Sequence, residues 1–356
     1  MMLSTIHRGI ISDQAGLWTR PLRLALRAAS GVYSLAVKVR NARYDRGEGV
    51  CAVSVPVISV GNITVGGTGK TPMVIDLVER LRRLKRRPAV VARGFKAQKD
   101  HPGDEELLIR RRNPGVCYVA DPNRVAGAKT AVRAGADVIV LDDGFQHRAI
   151  ARDLDIVLID ATLPFGFDHV LPRGLLREPI RGLQRADLII VTRCSDVTRE
   201  VLAELHECLA RMARGCGVLS CIHRPVAITR VDGTTLADNP HTFLRGKNVV
   251  TFCGLAQHQA FERTVSSLGA NLVAVRRWAD HHAYCADEIN LLLNDRHKSP
   301  VDLFVTSEKD AVKLVALTDV DLNRIVVVNV AIDFAGEDGT ILDELLERTL
   351  RRGETS

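Results

Sequence analysis

An apolar, β-branched run, "VSVPVISVG" at 53–61, passes without a break into "NITVGGTGKTP", and this junction constrains the fold more than any other stretch of the chain. A buried strand runs into three glycines within four positions, then Lys70, Thr71 and a helical pattern to about 85. That is the strand–loop–helix unit of a parallel α/β sheet. Gly66, Gly67 and Gly69 let successive backbone N–H groups turn toward an anion, and the helix start adds its dipole. Lys70 would reach terminal phosphates, and the Thr71 hydroxyl would bind Mg²⁺. Thr64 breaks the strict G-x-x-x-x-G-K-[ST] spacing but leaves the part that meets phosphate intact. The competing reading is a Gly-rich turn with no ligand.

The alternation continues along the chain. Runs at 88–93, 116–120, 137–143, 155–161 and 187–193 read as buried strands, with helical patterns near 104–112, 122–134 and 197–213 between them. After "HRPVAITRVDG" the order restarts, with strands at 248–253, 271–278, 301–306 and 325–330. Helices are expected near 257–268, 286–296 and 340–351. The expected architecture is α/β: a P-loop NTPase-type parallel sheet over 46–225 and a second, smaller α/β domain over 226–356.

Charge separates the N-terminal segment from this body. The first fifty residues hold eight Lys/Arg against three Asp/Glu, while the whole chain of 356 residues carries only +7. Local positive charge points to an anionic partner, lipid or nucleic acid. Aromatics make up 4% of the chain, too few for base-stacking platforms, so lipid is favoured and nucleic acid disfavoured. Within 1–45, "GLWTRPLRLALRAASGVYSLAVKVRNARY" reads as one helix. Leu22, Leu26, Ala29, Tyr33 and Ala36 form an apolar stripe, with Arg23, Arg27, Ser30, Ser34 and Lys38 one residue over. No run reaches the roughly 18 apolar residues of a membrane span. The segment is suited to lie on a bilayer, or to pack its stripe on the protein's own core. The eight cysteines form no C-x-x-C and no zinc-finger spacing.

A phosphate loop needs an acid at the end of a neighbouring strand, and "DVIVLDDGFQHR" supplies Asp142 and Asp143. Adjacent carboxylates there need a cation or a basic group, although helix capping would also use them. "GDEE" places Asp104 where a base or a helix cap would sit. "WADHHAY" places His281, and "VTSEKDAVK" places Glu308, Lys309 and Asp310, at carboxyl ends of second-domain strands, where open α/β sheets bind ligands. "LPRGLLREP" offers Arg173, Arg177 and Glu178 as an anion clamp plus a metal carboxylate. A metallochaperone-type GTPase or partitioning ATPase shares such a loop, but the N-K-x-D of guanine recognition is missing.

Taken together, "SVGNITVGGTGKTP", "GDEE", "LDDGFQHR", "LLREP", "ADHHAY" and "VTSEKDAVK" resemble, in order and spacing over about 15–335, the tetraacyldisaccharide 4'-kinase family of Gram-negative lipid A synthesis. The resemblance implies transfer of the ATP γ-phosphate to the 4'-hydroxyl of a tetraacyldisaccharide 1-phosphate, with Mg²⁺. It also implies a peripheral protein on the cytoplasmic face of the inner membrane. ATP would lie on Thr64, Val65, Gly66, Gly67, Thr68, Gly69, Lys70 and Thr71. Asp104 would be the catalytic base and His281 its partner, brought together from different domains. Asp142 and Asp143 match the Walker B acids; either could meet the metal beside Thr71 and Glu178, and the assignment taken is Asp143 catalytic and Asp142 on the metal. Arg124, His147 and Arg177 would contact the glycolipid.

Overall fold

The computed structural model describes residues 19–94, 102–295 and 300–354, so the first eighteen residues of the expected N-terminal segment lie outside it. In chain order the elements are α1 (Arg20–Asp45), β1 (Val57–Asn62), α2 (Lys70–Arg83), β2 (Pro88–Ala92), α3 (Asp104–Arg112), β3 (Cys117–Ala120), α4 (Arg124–Arg133), β4 (Val138–Asp142), β5 (Leu154–Asp160) and β6 (Leu188–Thr192). There follow α5 (Arg199–Met212), β7 (Gly217–Arg230), β8 (Thr235–Ala237), α6 (Pro240–Leu244), β9 (Asn248–Cys253), α7 (His258–Ser267), β10 (Asn271–Arg277), α8 (Ala286–Asn294), β11 (Leu303–Ser307), α9 (Glu308–Leu314), β12 (Ile325–Phe334) and α10 (Asp338–Glu354).

The chain forms two compact units that interleave in sequence. The first takes in Met1–Ala97, Asn113–Ile222 and Ile332–Ser356, and the second Gln98–Arg112 and His223–Ala331. The boundary expected at 225/226 lies close to where β7 passes from one unit to the other. Two segments fall on the far side of it: α3 belongs with the second unit, and α10 with the first.

In the first unit the strand order is β7-β6-β5-β1-β4-β2-β3, with every neighbouring pair parallel. Strands β1, β2, β4, β5 and β6 are buried along their whole length. A parallel sheet covered on both faces demands this, and it is why these strands read as unbroken apolar runs. The chain goes from β1 to β2 and β3 on one side, returns to β4, then crosses to β5. The order therefore reverses at β1, and the loops after β1 and β4 open side by side at the carboxyl ends. Helix α10 closes the unit with Leu342, Leu346 and Leu350 buried at a spacing of four. Arg80 of α2 donates to Asp343 at 2.7 Å and to the Gly339 carbonyl at 3.0 Å.

Helix α1 packs on the first unit through Ser30, Tyr33, Val37 and Asn41. The Ser30 hydroxyl donates to the Val170 carbonyl at 2.9 Å, and the Tyr33 hydroxyl to the Arg177 carbonyl at 2.8 Å. The apolar stripe expected from the sequence is thus split: Leu26 and Tyr33 turn inward, while Leu22, Ala29 and Ala36 are exposed. Ser30, expected on the basic edge, is buried. The outward face is instead Leu24, Ala28, Val32, Leu35 and Val39, with Arg20, Arg27 and Lys38 along one side.

The second unit has the parallel order β10-β9-β11-β12, the later residues of β7 beside β12, and β8 antiparallel to β7. Its core centres on Val250, Phe252, Phe304 and Ile325.

Candidate functional site

Thr64, the residue that breaks the loop consensus, explains itself in the backbone. It forms an antiparallel bridge with Leu176, and Val65 N–H donates to the Leu175 carbonyl at 2.8 Å. Position 64 is therefore held extended, where a side chain is tolerated. The left-handed positions come later, at Gly66 (φ 126°) and Gly69 (φ 90°), where glycine is needed. Gly69 caps α2, whose first residue is Lys70. The Lys70 ammonium donates to Asn62 Oδ1 at 3.2 Å and stands 3.6 Å from Asp143. Asn62, fully buried at the end of β1, is itself fixed by donating to the Thr64 carbonyl at 2.7 Å.

The two aspartates at the end of β4 have separate surroundings. Asp142 is buried and pairs across the sheet with Val60 of β1. Asp143 sits at φ 54°, a strained backbone for a residue with a side chain, and its two oxygens accept from Arg177 Nη1 at 2.8 and 2.7 Å. Burial would raise the Asp143 pKa, but Lys70 and Arg177 outweigh it and hold the carboxyl below its ordinary value. Asp143 is an ionised brace between two cations, and Asp142 is the carboxylate at the strand end beside the loop.

Glu178, expected as a metal carboxylate, is held by protein side chains in this structure. It is fully buried, and Arg185 donates to its two oxygens at 3.1 and 2.8 Å. Gln146 adds a bond at 2.9 Å and Asn41 one at 3.3 Å. A carboxylate with four hydrogen bonds is a structural anchor. Gln146 also donates to the Asn62 carbonyl at 2.9 Å, so a polar chain runs from Arg185 through Glu178 and Gln146 to the residue that holds Lys70. Sequence reasoning missed Asn62, Gln146 and Arg185. The only signal was a polar residue ending an apolar strand.

Arg124 begins α4 and is buried, donating to the carbonyls of Asp121 at 3.1 Å and Asp142 at 3.4 Å. Burial, together with Arg124, Arg152 and other nearby arginines, pushes His147 down to about 4, so its imidazole is neutral at physiological pH. Its Nε2 and the Nε of Arg124 are buried without a hydrogen-bond partner among the described residues.

The second unit brings together a cluster that the linear boundary had divided. Asp104 opens α3, and both its oxygens lie 2.9–3.0 Å from Nδ1 of His281. Asp104 and His281 were expected to come from different domains, but both belong to this unit, because the segment carrying α3 packs with it. His281 sits at φ 59°, again a strained position for a non-glycine residue. Lys309, on the first turn of α9, lies 3.3 Å from Nε2 of His281, 3.4 Å from Asp280 and 3.7 Å from Asp104. Burial opposes ionisation of Asp104, but the His281 hydrogen bond and the Lys309 charge hold its carboxyl below the ordinary value. Among the described residues no group of three or more His, Cys, Asp or Glu could hold a metal by itself.

Known proteins similar in sequence to this chain belong to one family. A model of the tetraacyldisaccharide-1-P 4'-kinase family matches residues 22–351. A tetraacyldisaccharide 4'-kinase of Anaeromyxobacter sp. (strain Fw109-5) is 40% identical over 371 residues, covering 99% of this chain and 98% of its own length. One from Syntrophus aciditrophicus (strain SB) is 38% identical, covering 83% and 85%. Among solved structures, LpxK from Aquifex aeolicus, an "apo" form in complex with ATP, matches with a TM-score of 0.73 at 26% identity, over 92% of this chain and 99% of its own.

Proposed function

The chain belongs to the tetraacyldisaccharide 4'-kinase family, and we propose how its residues carry out that family's reaction. It is an ATP-dependent kinase of lipid A biosynthesis that transfers the γ-phosphate to the 4'-hydroxyl of tetraacyldisaccharide 1-phosphate, giving lipid IVA. The observation that carries the residue assignment is the placement of Lys70, held by Asn62 and Asp143 at the end of a loop whose glycines turn the backbone.

The ATP phosphates rest on the amides of 64–71, and Lys70 neutralises charge on the β- and γ-oxygens. Thr71 and Asp142 are hard oxygen donors beside the loop, as Mg²⁺ requires, and this ion needs only one or two protein ligands when phosphates supply the rest. When bound, Mg²⁺ offsets charge on the transferring phosphoryl group. Asp143, already committed to Lys70 and Arg177, keeps the lysine aimed. Asp104 accepts the proton of the attacking hydroxyl, and His281 orients it. Its lowered pKa makes Asp104 a weak base, which suits a loose transition state where the proton leaves late. Arg124 and His147 are assigned to the glycolipid headgroup, with hydrogen-bonding capacity left at the Arg124 Nε and the His147 Nε2. Arg177, spent on Asp143, contributes through that brace.

The outward face of α1 supports peripheral attachment to the cytoplasmic face of the inner membrane. Among the described residues no helix is long and apolar enough to cross a bilayer. The test is transfer of labelled phosphate from ATP to a tetraacyldisaccharide 1-phosphate in detergent micelles. Lys70→Ala is expected to lower kcat by roughly 10²–10³, and Asp104→Asn by about 10²–10⁴. Near wild-type turnover in Asp104→Asn would remove it as the base.

A further inference from the structure

A neutral imidazole has one ring proton, and His281 faces a carboxylate on each side. Asp104 lies against Nδ1 at 2.9 Å, and Asp280 Oδ2 lies 3.8 Å from Nε2. Each would accept the proton if the ring offered it. Lys309 stands at the point of decision. Its ammonium is 3.3 Å from Nε2 and 3.4 Å from Asp280 Oδ1. An ammonium has three donors and no acceptor. At Nε2 it can only donate, so that nitrogen must be the acceptor, and the ring proton must sit on Nδ1. At Asp280 it satisfies the carboxylate that would otherwise recruit an Nε2 proton.

We infer that Lys309 is a positioning residue: it fixes the Nδ1–H tautomer of His281 and thereby directs the ring's only proton to Asp104. The inference rests on the reading of Asp104 as the base. The direction of bonding runs Lys309 to His281 to Asp104, and each member is held by its own element. Asp104 is set at the first position of α3. His281 is set by its left-handed backbone. Lys309 is set on α9, where Ser307 caps the helix by accepting from Asp310 N–H at 3.2 Å. Buried Asp310 pins the same helix, taking bonds from Lys313 at 2.8 Å, from the Tyr284 hydroxyl at 2.9 Å and from Gly254 N–H at 3.1 Å. Charged groups acting on the cluster among the described residues include Glu105, beside Asp104, and Lys313. Burial works against the Lys309 charge, and Asp104, Asp280 and Glu105 more than restore it, so the ammonium stays charged.

The test uses the full-length protein with ¹⁵N-labelled histidine, the His281 signals being identified by their loss in His281→Asn. In the wild type Nε2 should resonate as an unprotonated acceptor and Nδ1 as protonated. In Lys309→Met the proton should redistribute toward Nε2 and Asp280. Turnover should follow: kcat falls about tenfold to a hundredfold with both KM values within about twofold, since orientation of the base acts in the transition state. Removing the competitor should restore the balance, so Lys309→Met combined with Asp280→Ala should recover Nδ1–H and about fivefold or more of the lost kcat. A lysine that merely supports the fold would not be rescued by deleting a neighbouring carboxylate. Unmoved ring nitrogens in Lys309→Met, with Asp104→Asn inactive, defeat the tautomer assignment alone. Full turnover in Asp104→Asn defeats the base assignment and with it the effect on rate.

Discussion

Asp143 and Asp155 both lie in the first unit, yet their protons are held in opposite directions. Asp143 has two cations and is kept ionised. Asp155, on β5, has Arg152 at 3.2 Å, but burial outweighs that partner and pushes the carboxyl up to about 6 from 3.8. Burial likewise lowers Arg152, so both members show the same cost of taking an ion pair out of water. Because the folded state holds the Asp155 proton more tightly than the unfolded chain, its contribution is complete below about pH 4 and is lost as pH rises through about 6. Asp155→Asn mimics the protonated form. Relative to their difference at pH 4.5, the variant is expected to gain about 2 kcal/mol on the wild type by pH 7.5, measured by urea unfolding. A constant difference across that range would show that Asp155 binds no extra proton in the native state. At this scale the sequence revealed chemistry but not partners. Lys70, Thr71 and Asp142 stand out in the sequence because a phosphate loop and a strand-end acid have fixed offsets. The partners of Glu178 were not legible, because nothing local announces that Arg185 and Gln146 will reach it.

Among the elements, the strands of the first unit were legible because full burial writes itself as continuous β-branched runs. Helix α1 was only half legible. It carries apolar residues around most of its circumference, so periodicity alone could not decide which face meets protein. Tyr33 decides it, since its hydroxyl needs an acceptor and finds one in the Arg177 carbonyl. The remaining face leaves Leu24 71%, Val32 72%, Leu35 62% and Val39 59% exposed, an unusual row for a helix in water. Arg20, Arg27 and Lys38 beside it would each add about 1 kcal/mol at an anionic surface. Leu24→Ser combined with Leu35→Ser removes about 2 kcal/mol of interfacial burial. Flotation with vesicles containing anionic phospholipid should show binding weakened on the order of thirtyfold, while the melting temperature holds. Changing Leu26, which turns inward, should show the reverse pattern. Equal loss of vesicle binding in both would mean that α1 does not present a single lipid face.

At the scale of the whole molecule, the feature hidden from a linear reading is the interleaving of the two units. Boundaries drawn from composition follow the chain, whereas packing follows the sheet, and β7 and β12 each run from one unit into the other. A separate excursion, Gln98–Arg112, puts Asp104 in the unit of His281, and the crossing of β12 returns the last segment to the unit that carries the phosphate loop. Asp338 accepts from Ser220 N–H at 2.6 Å, Asp343 pairs with Arg80, and the Arg80 guanidinium stacks 4.9 Å from the Phe334 ring. Ending the chain at residue 331 removes these contacts and three buried leucines. At about 2–5 kcal/mol for each leucine, the loss rivals the roughly 5–15 kcal/mol that holds a domain folded. If 226–356 formed a separate domain, the phosphate loop would survive this truncation and still bind nucleotide. Interleaving requires the opposite: the shortened protein should lose ATP binding and the cooperative melt of the first unit together. Calorimetric titration with Mg–ATP alongside circular dichroism melting distinguishes the two, and retained nucleotide affinity in the truncated chain would return α10 to the second unit.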